Sequence, residues 1–314
     1  MLLLGEVRTC LLRASRPLPT AVAAQALALI PGQRVRTTNR PLARSVSPPL
    51  LTGVDCRLAT AQNARTRGVG TVSTTANITA GLVLQASAQT RVERAAGPSR
   101  LGWAHYAAQP GVIEILHATP MEAIASGFLA TPSPGPTLDL GSVSERLIGT
   151  IQRDERLDHV TAVRSRTTRV RWVAVPSDTA EAPRARVRLD DGVVRTIELT
   201  MPADELDSAA SFCEDFALHD WLLTTLAQVI EQAERLRAAG HDPIDVVRTA
   251  VERLVHLWMP GARLEASFAP VWRGLERNPG FSRQWRSQVD RIRDQIALQT
   301  LQALVDARPR AADW

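Results

Sequence analysis

Lysine is missing from this 314-residue chain: all 37 of its basic residues are arginine. A GC-rich coding sequence produces such a bias. Its chemical effect is to favour forked contacts to carboxylates and phosphates over point-charge contacts. Cysteine is scarce. Cys10, Cys56 and Cys213 are odd in number and widely spaced, which excludes a disulfide framework and a metal-ligand doublet and fits a reducing, cytoplasmic setting. No apolar run approaches the ~20 residues of a membrane helix, so no membrane contact is expected. The opening MLLLGEVRTCLLRAS is broken by Glu6 and Arg8 and has no basic n-region. It reads as a first strand and not as a signal peptide. Aromatic residues make up only 4% of the chain, which weakens models of base stacking along a single strand. The chain also lacks GxxxxGK[ST], GxSxG, HExxH and CxxC. No cofactor, resident metal or catalytic signature is therefore predicted.

What is present is ordinary for a folded protein: 45% hydrophobic and 22% charged residues. The length admits two domains or one large one. Charge is unevenly placed. Residues 1–100 hold 13 arginines against 3 acids, a net of +10; residues 101–200 are at −1 and residues 201–314 at −4. A basic front faces a mildly acidic back.

The periodicities predict an α+β fold. Residues 2–12 read as a strand, and Thr20 to Ile30 as a helix stopped by Pro31 and Gly32. Low-regularity strands follow over 33–62. Residues 69–76 and 82–92 predict a hairpin. In its second strand Leu82, Leu84, Ala86, Ala88 and Val92 alternate with Gln85, Ser87, Gln89 and Arg91, as in a half-buried strand. Residues 111–116 form another strand. Thr119 with Glu122, and Ser142 with Glu145, predict two capping boxes that open short helices. Between them TPSPGPT, residues 131–137, reads as a linker and a sub-boundary. Strands return at 168–175 and in a second hairpin, 185–189 with 193–200, about Asp191 and Gly192. From Pro202 onward the pattern is helical, with stops at Gly240, Pro260-Gly261 and Asn278-Pro279-Gly280. The expected organisation is a strand-rich basic domain over 1–200 and an all-helical domain over 201–314.

The strongest pattern is SFCEDFALHDWLLTTL, Ser211 to Leu226. Phe212, Phe216, His219, Leu223, Leu226, Ile230 and Ala233 recur at steps of four and three, an apolar seam with His219 on it. Asp215 precedes His219 by four residues, on the same helix face. Three roles are open to the pair: a core histidine held by a carboxylate, a polar contact to the strand domain or to a partner, or a metal or catalytic site. A metal would need a third ligand such as His256 or Glu252. Cys213 beside Glu214 has the residue types of a nucleophile with a base, although a buried helix cysteine is usually inert. Gly68 and Gly70 lack the following helix of a phosphate loop and fit close packing.

The arginine alternations are the other candidates. Arg34 with Arg36, Arg65 with Arg67, Arg164 with Arg166, Arg169 with Arg171, and Arg184 with Arg186 and Arg188 are each spaced by two. On a strand each pair projects to one side. Such pairs form a solvated face, a docking surface for an acidic protein, or a nucleic-acid groove if they converge.

Taken together, MLLLGEVRTCLL, GVDCRLAT, RGVGTVSTTA and EDFALHDWLLTTL resemble an uncharacterised actinomycete family. Its members are encoded beside a variant P-loop protein and an S-adenosylmethionine-dependent methyltransferase. The resemblance covers essentially the whole chain. It implies a component of a multi-protein system, with the other products of the gene cluster as partners, and carries no activity or site residues. The expected function is non-enzymatic protein interaction. A nucleic-acid-binding module and an enzyme centred on Asp215 and His219 stand as alternatives.

Overall fold

The computed structural model describes residues 1–306 apart from 62–65, 131–136, 162, 180–181 and 191. The fold is α+β. A mixed sheet of ten strands occupies the first two-thirds, and the remainder is helical. The strands are β1 (Leu2–Leu11), β2 (Arg36–Thr38), β3 (Arg44–Val46), β4 (Leu50–Leu58), β5 (Thr66–Thr79), β6 (Val83–Arg94), β7 (Val112–Ile115), β8 (Thr168–Pro176), β9 (Arg184–Leu189) and β10 (Val194–Met201). Their order across the sheet is β2-β3-β5-β7-β6-β1-β8-β10-β9, with β4 also paired to β5. The long β5 makes this branching possible. Its first half pairs with β4 and β7, and its second half with β3 and β6. Where β7 crosses, a Cβ on Gly70 would lie 2.0 Å from the Val112 carbonyl oxygen. The glycine is there to admit a neighbouring backbone, as its sequence context suggests.

Helices cover both faces of the sheet. Helices α1 (Thr20–Ala26), α3 (Met121–Leu129) and α4 (Leu140–Ile151) bury one face through residues such as Leu4, Leu84, Ile124 and Leu147. The opposite face, with Val7, Trp172 and Ile197, meets α5 (Ala209–Ala238). Beyond α5 lie α6 (Ile244–Leu254), α7 (Ala269–Arg277) and α8 (Phe281–Asp306). One hydrophobic cluster runs from sheet residues Ile197 and Leu199 through Phe212 and Trp221 to Trp272 and Trp285. The short helix α2 (Trp103–Ala107) closes a small cluster of Val69, Tyr106 and Leu116.

Two-sided coverage corrects the half-buried reading of β6. Gln85 and Ser87, on its polar face, are as buried as Leu84 and Ala86. Gln85 is satisfied there, donating to the Glu214 carbonyl at 2.9 Å and to Thr9 Oγ1 at 3.1 Å. It thus ties α5 to the sheet without an unpaired amide. Neither expected capping box forms. Thr119 Oγ1 meets Thr66 Oγ1 at 2.5 Å, and α4 is capped by Asp139, which accepts from the Ser142 amide at 3.1 Å. In both cases a competing partner for the side chain decided the outcome. The first helix ends at Ala26, short of Ile30. The second hairpin forms, with β9 antiparallel to β10. The linker segment lies almost wholly outside the described residues.

Candidate functional site

The expected single seam on α5 widens to nearly every side of the helix, because α5 lies between the sheet and α6 to α8. Residues 215–223 are all buried. The polar groups of Ser211–Leu226 therefore need internal partners, and those partners define what the stretch does.

His219 is 1% exposed and uses both ring nitrogens. Nδ1–H donates to the Asp215 carbonyl at 2.7 Å, and Nε2 accepts from the Met259 amide at 3.2 Å. Asp215 Oδ2 accepts from the Gly261 amide at 2.9 Å. The Trp258 and Trp272 rings stand edge-on to the imidazole at 5.1 and 5.7 Å. Burial pulls the His219 pKa below its ordinary value, so the ring is neutral with its proton on Nδ1. No lone pair is left for a metal. His256 and Glu252, the suggested third ligands, are both exposed. Among the described residues no group of three or more His, Cys, Asp or Glu side chains could hold a metal ion. The pair clasps the 258–261 loop onto α5, which is the core role among the three open to it.

Cys213 is fully buried, and desolvation pushes its thiol well above the ordinary value. This is the reverse of what a nucleophile needs. Glu214 instead pairs with Arg44 of β3. Around them Arg44, Gln85, Ser211, Glu214, Asp215 and Arg263 enclose a polar void of about 40 Å³. Burial, with the Arg44 charge nearby, lowers Arg263 to about 10.

The arginine pairs separate. Arg169 and Arg171 are not on a solvated face; they turn inward toward Glu6, which is 1% exposed. Arg169 Nε donates to Glu6 Oε1 at 2.9 Å, Arg171 Nε to Oε2 at 3.4 Å, and Arg8 Nε lies 3.4 Å from Oε1. Arg171 also donates to the Phe128 and Ala130 carbonyls, both at 3.2 Å, which closes the C-terminal end of α3. The N-terminus of α4 packs on this cluster through Gly141, where a Cβ would meet Glu6 Oε1 at 2.3 Å. Arg67 chelates Asp55 at 2.9 and 2.8 Å and holds that carboxyl below its ordinary range. Arg34 and Arg36 are exposed at the β2 end of the sheet, and Arg186 and Arg188 at the β9 end. Arg65 lies outside the described residues. The sheet does not gather these arginines into one stripe.

Sequence reasoning missed a cleft between β9, α5, α7 and α8, of about 780 Å³. Val187, Phe216, Leu223, Val271, Leu275 and Phe281 give it apolar walls. Its polar lining includes Arg184, Asn278, Gln284, Gln288 and the pair Asp220 and Arg195, in which Arg195 Nε donates to Asp220 Oδ1 at 2.9 Å. Asp220 is 5% exposed, its Oδ2 has no hydrogen-bond partner among the described residues, and burial raises its pKa. The one sequence signal was Asp220 itself, an acid inside an apolar helix.

Compared with family models, curated proteins and solved structures, the chain matches none. No helix among the described residues is long and apolar enough to cross a membrane.

Proposed function

We propose that this chain is a non-enzymatic, cytoplasmic component of an actinomycete multi-protein system that docks an acidic partner protein along the edge strand β9. The observation that carries the reading is the make-up of that strand. β9 ends the sheet and pairs only with β10 among the described residues. Arg184, Arg186 and Arg188 stand exposed along it. Ala185 and Val187 line the apolar cleft, as does Arg184 at the strand's start, whereas Arg186 and Arg188 do not. An extended segment added to this edge gains main-chain hydrogen bonds, and its acidic side chains meet the arginines. The neutral His219, the buried Cys213 and the engaged Asp215 supply no reactive group, which favours binding over catalysis. The three cysteines are free, in keeping with a reducing compartment. The resemblance of the opening strand and of Glu214–Leu226 to the actinomycete family supports membership of such a system. A nucleic-acid reading has less support, since Arg34 and Arg36 lie at the far edge from Arg186 and Arg188.

The test is recovery of the tagged protein from its native host at low salt, with and without nuclease. Expected is a stoichiometric acidic protein, encoded nearby, that the triple variant R184E/R186E/R188E fails to retain. Wild-type protein recovered alone, or a partner lost only on nuclease treatment, overturns the proposal.

A further inference from the structure

A second, polar chamber of about 690 Å³ adjoins the apolar cleft along α5, and Thr224 and Ala227 line both. Asp220, Leu223, Thr224 and Ala227 belong to the first chamber; Gln228, Glu231 and Arg235 carry the second one further along α5. At 1.5 Å per residue, residues 220–235 extend the combined wall over roughly 22 Å. The chambers differ in chemistry. The first has the aliphatic and aromatic walls described above. The second is rimmed by Arg164, Arg166 and Arg235. All three arginines are exposed. Arg235 has one distant ion pair, to Glu231 at 4.0 Å, and the guanidinium groups of Arg164 and Arg166 make no ion pair among the described residues. The Arg166 main chain is fixed: its amide donates to Gln228 Oε1 at 3.1 Å, and its carbonyl accepts from Trp221 Nε1 at 3.2 Å. The backbone at Arg166 is thus held against α5, which sets where that part of the cationic rim stands.

We infer that this double cleft is a binding site for a soluble amphiphile: one molecule with an apolar body in the first chamber and an anionic headgroup among Arg164, Arg166 and Arg235 in the second. Three points of chemistry select this class. An apolar chamber of this volume matches the body of a drug-sized or acyl-chain ligand. Arginine forks suit a carboxylate or phosphate head. Thr224 and Ala227 line both chambers, so a ligand with an apolar body and an anionic head would pass between the two at these residues. Arg186 and Arg188 line neither chamber, so the inference does not depend on partner docking at those two arginines.

Calorimetric titration of the full chain with dodecyl phosphate, below its micelle concentration, tests the inference. Dodecanol and inorganic phosphate serve as the body-only and head-only controls. Expected is one-to-one binding of dodecyl phosphate, with each control weaker by about tenfold or more. A227F narrows the neck at a half-buried position and loses dodecyl phosphate by about tenfold or more. R164E/R166E, changed at exposed positions, loses dodecyl phosphate by a similar factor but leaves dodecanol unchanged. Circular dichroism of both variants verifies folding. No binding by wild-type protein, or binding that neither variant weakens, overturns the inference. So does co-sedimentation with phosphatidylglycerol vesicles that R164E/R166E abolishes while the monomer gives no heat, since that result assigns the arginines to a membrane surface.

Discussion

Strands β8 and β9 carry the same written pattern, arginine at every second position, and the fold treats them oppositely. Arg169 and Arg171 on β8 turn inward, half-buried or nearly buried, onto Glu6. Arg186 and Arg188 on β9 stand in solvent, and Arg186 pairs with the partly exposed Glu198 at 3.2 Å. One strand, β10, separates them. The difference lies in what covers each. β8 is central, α3 packs over its arginine face, and its neighbour β1 supplies an acid at the paired position, Glu6 opposite Arg171. β9 is an edge, and among the described residues no buried acid pairs with its arginines. Period-two spacing tells which residues share a side; it does not tell whether that side is inside.

The comparison breaks first at Glu6. Replacing it with alanine leaves Arg8, Arg169 and Arg171 in a largely dehydrated space without their shared counter-charge. Removing one partner of a buried ionic cluster costs about 3–5 kcal/mol. Urea unfolding of Glu6→Ala is expected to show a loss of that size. A loss below about 1 kcal/mol would place the cluster in the energetic class of exposed pairs. Gly141→Ala acts on the same site by pushing α4 off Glu6, and its loss should not add to that of Glu6→Ala, because the two share one contact.

A smaller effect is expected at the loop clasp. His219→Ala leaves the Met259 amide without its partner, at about 1–3 kcal/mol, while the Asp215 carbonyl loses only a second bond and keeps its helical one. The pH dependence has a definite sign. The folded-state pKa of His219 lies below its unfolded value, ordinarily about 6.5. Its neutral contribution is thus fully present above the unfolded pKa. It is lost as pH falls through the folded pKa, because the unfolded chain takes up the proton first. Wild-type stability, measured as the urea midpoint, should fall between about pH 7 and pH 5 more steeply than that of His219→Gln. Parallel profiles would remove the buried neutral histidine from the argument.

The same distinction explains what the sequence disclosed. β1, β8, the β9–β10 hairpin and the helical run after Pro202 carry local signals: alternation, an Asp-Gly turn and four-three spacing. Coverage carries none. That Gln85 and Ser87 are buried depends on α5, more than a hundred residues away. That α4 starts at Leu140 and not after Ser142 depends on Asp139, which accepts from both the amide and the hydroxyl of Ser142. The Asp215–His219 geometry was legible as a same-face pair, but its backbone partners at Met259 and Gly261 were not. The cleft was the least legible feature, since its walls come from β9, α5, α7 and α8. Glu6 was the missed clue, a lone acid inside an apolar strand, which has to find cations.

The smallest expected effect lies on the other strand of the comparison. Arg186→Ala with Arg188→Ala removes two solvated charges and one exposed ion pair, so stability should change by no more than about 0.5 kcal/mol. The fold would not register the loss, while a partner held by those charges would. Exposed charges on an edge strand also discourage pairing between copies, and that role makes a different demand. An edge that arginine merely guards responds to the double alanine variant by self-association, seen as a concentration-dependent rise in mass by light scattering. An edge that arginine uses to hold a partner responds by losing the partner while remaining at its original mass. The two measurements on one variant therefore separate a protective from a recognising surface at equal stability. Under the docking proposed here, the expected result is unchanged mass and a lost partner.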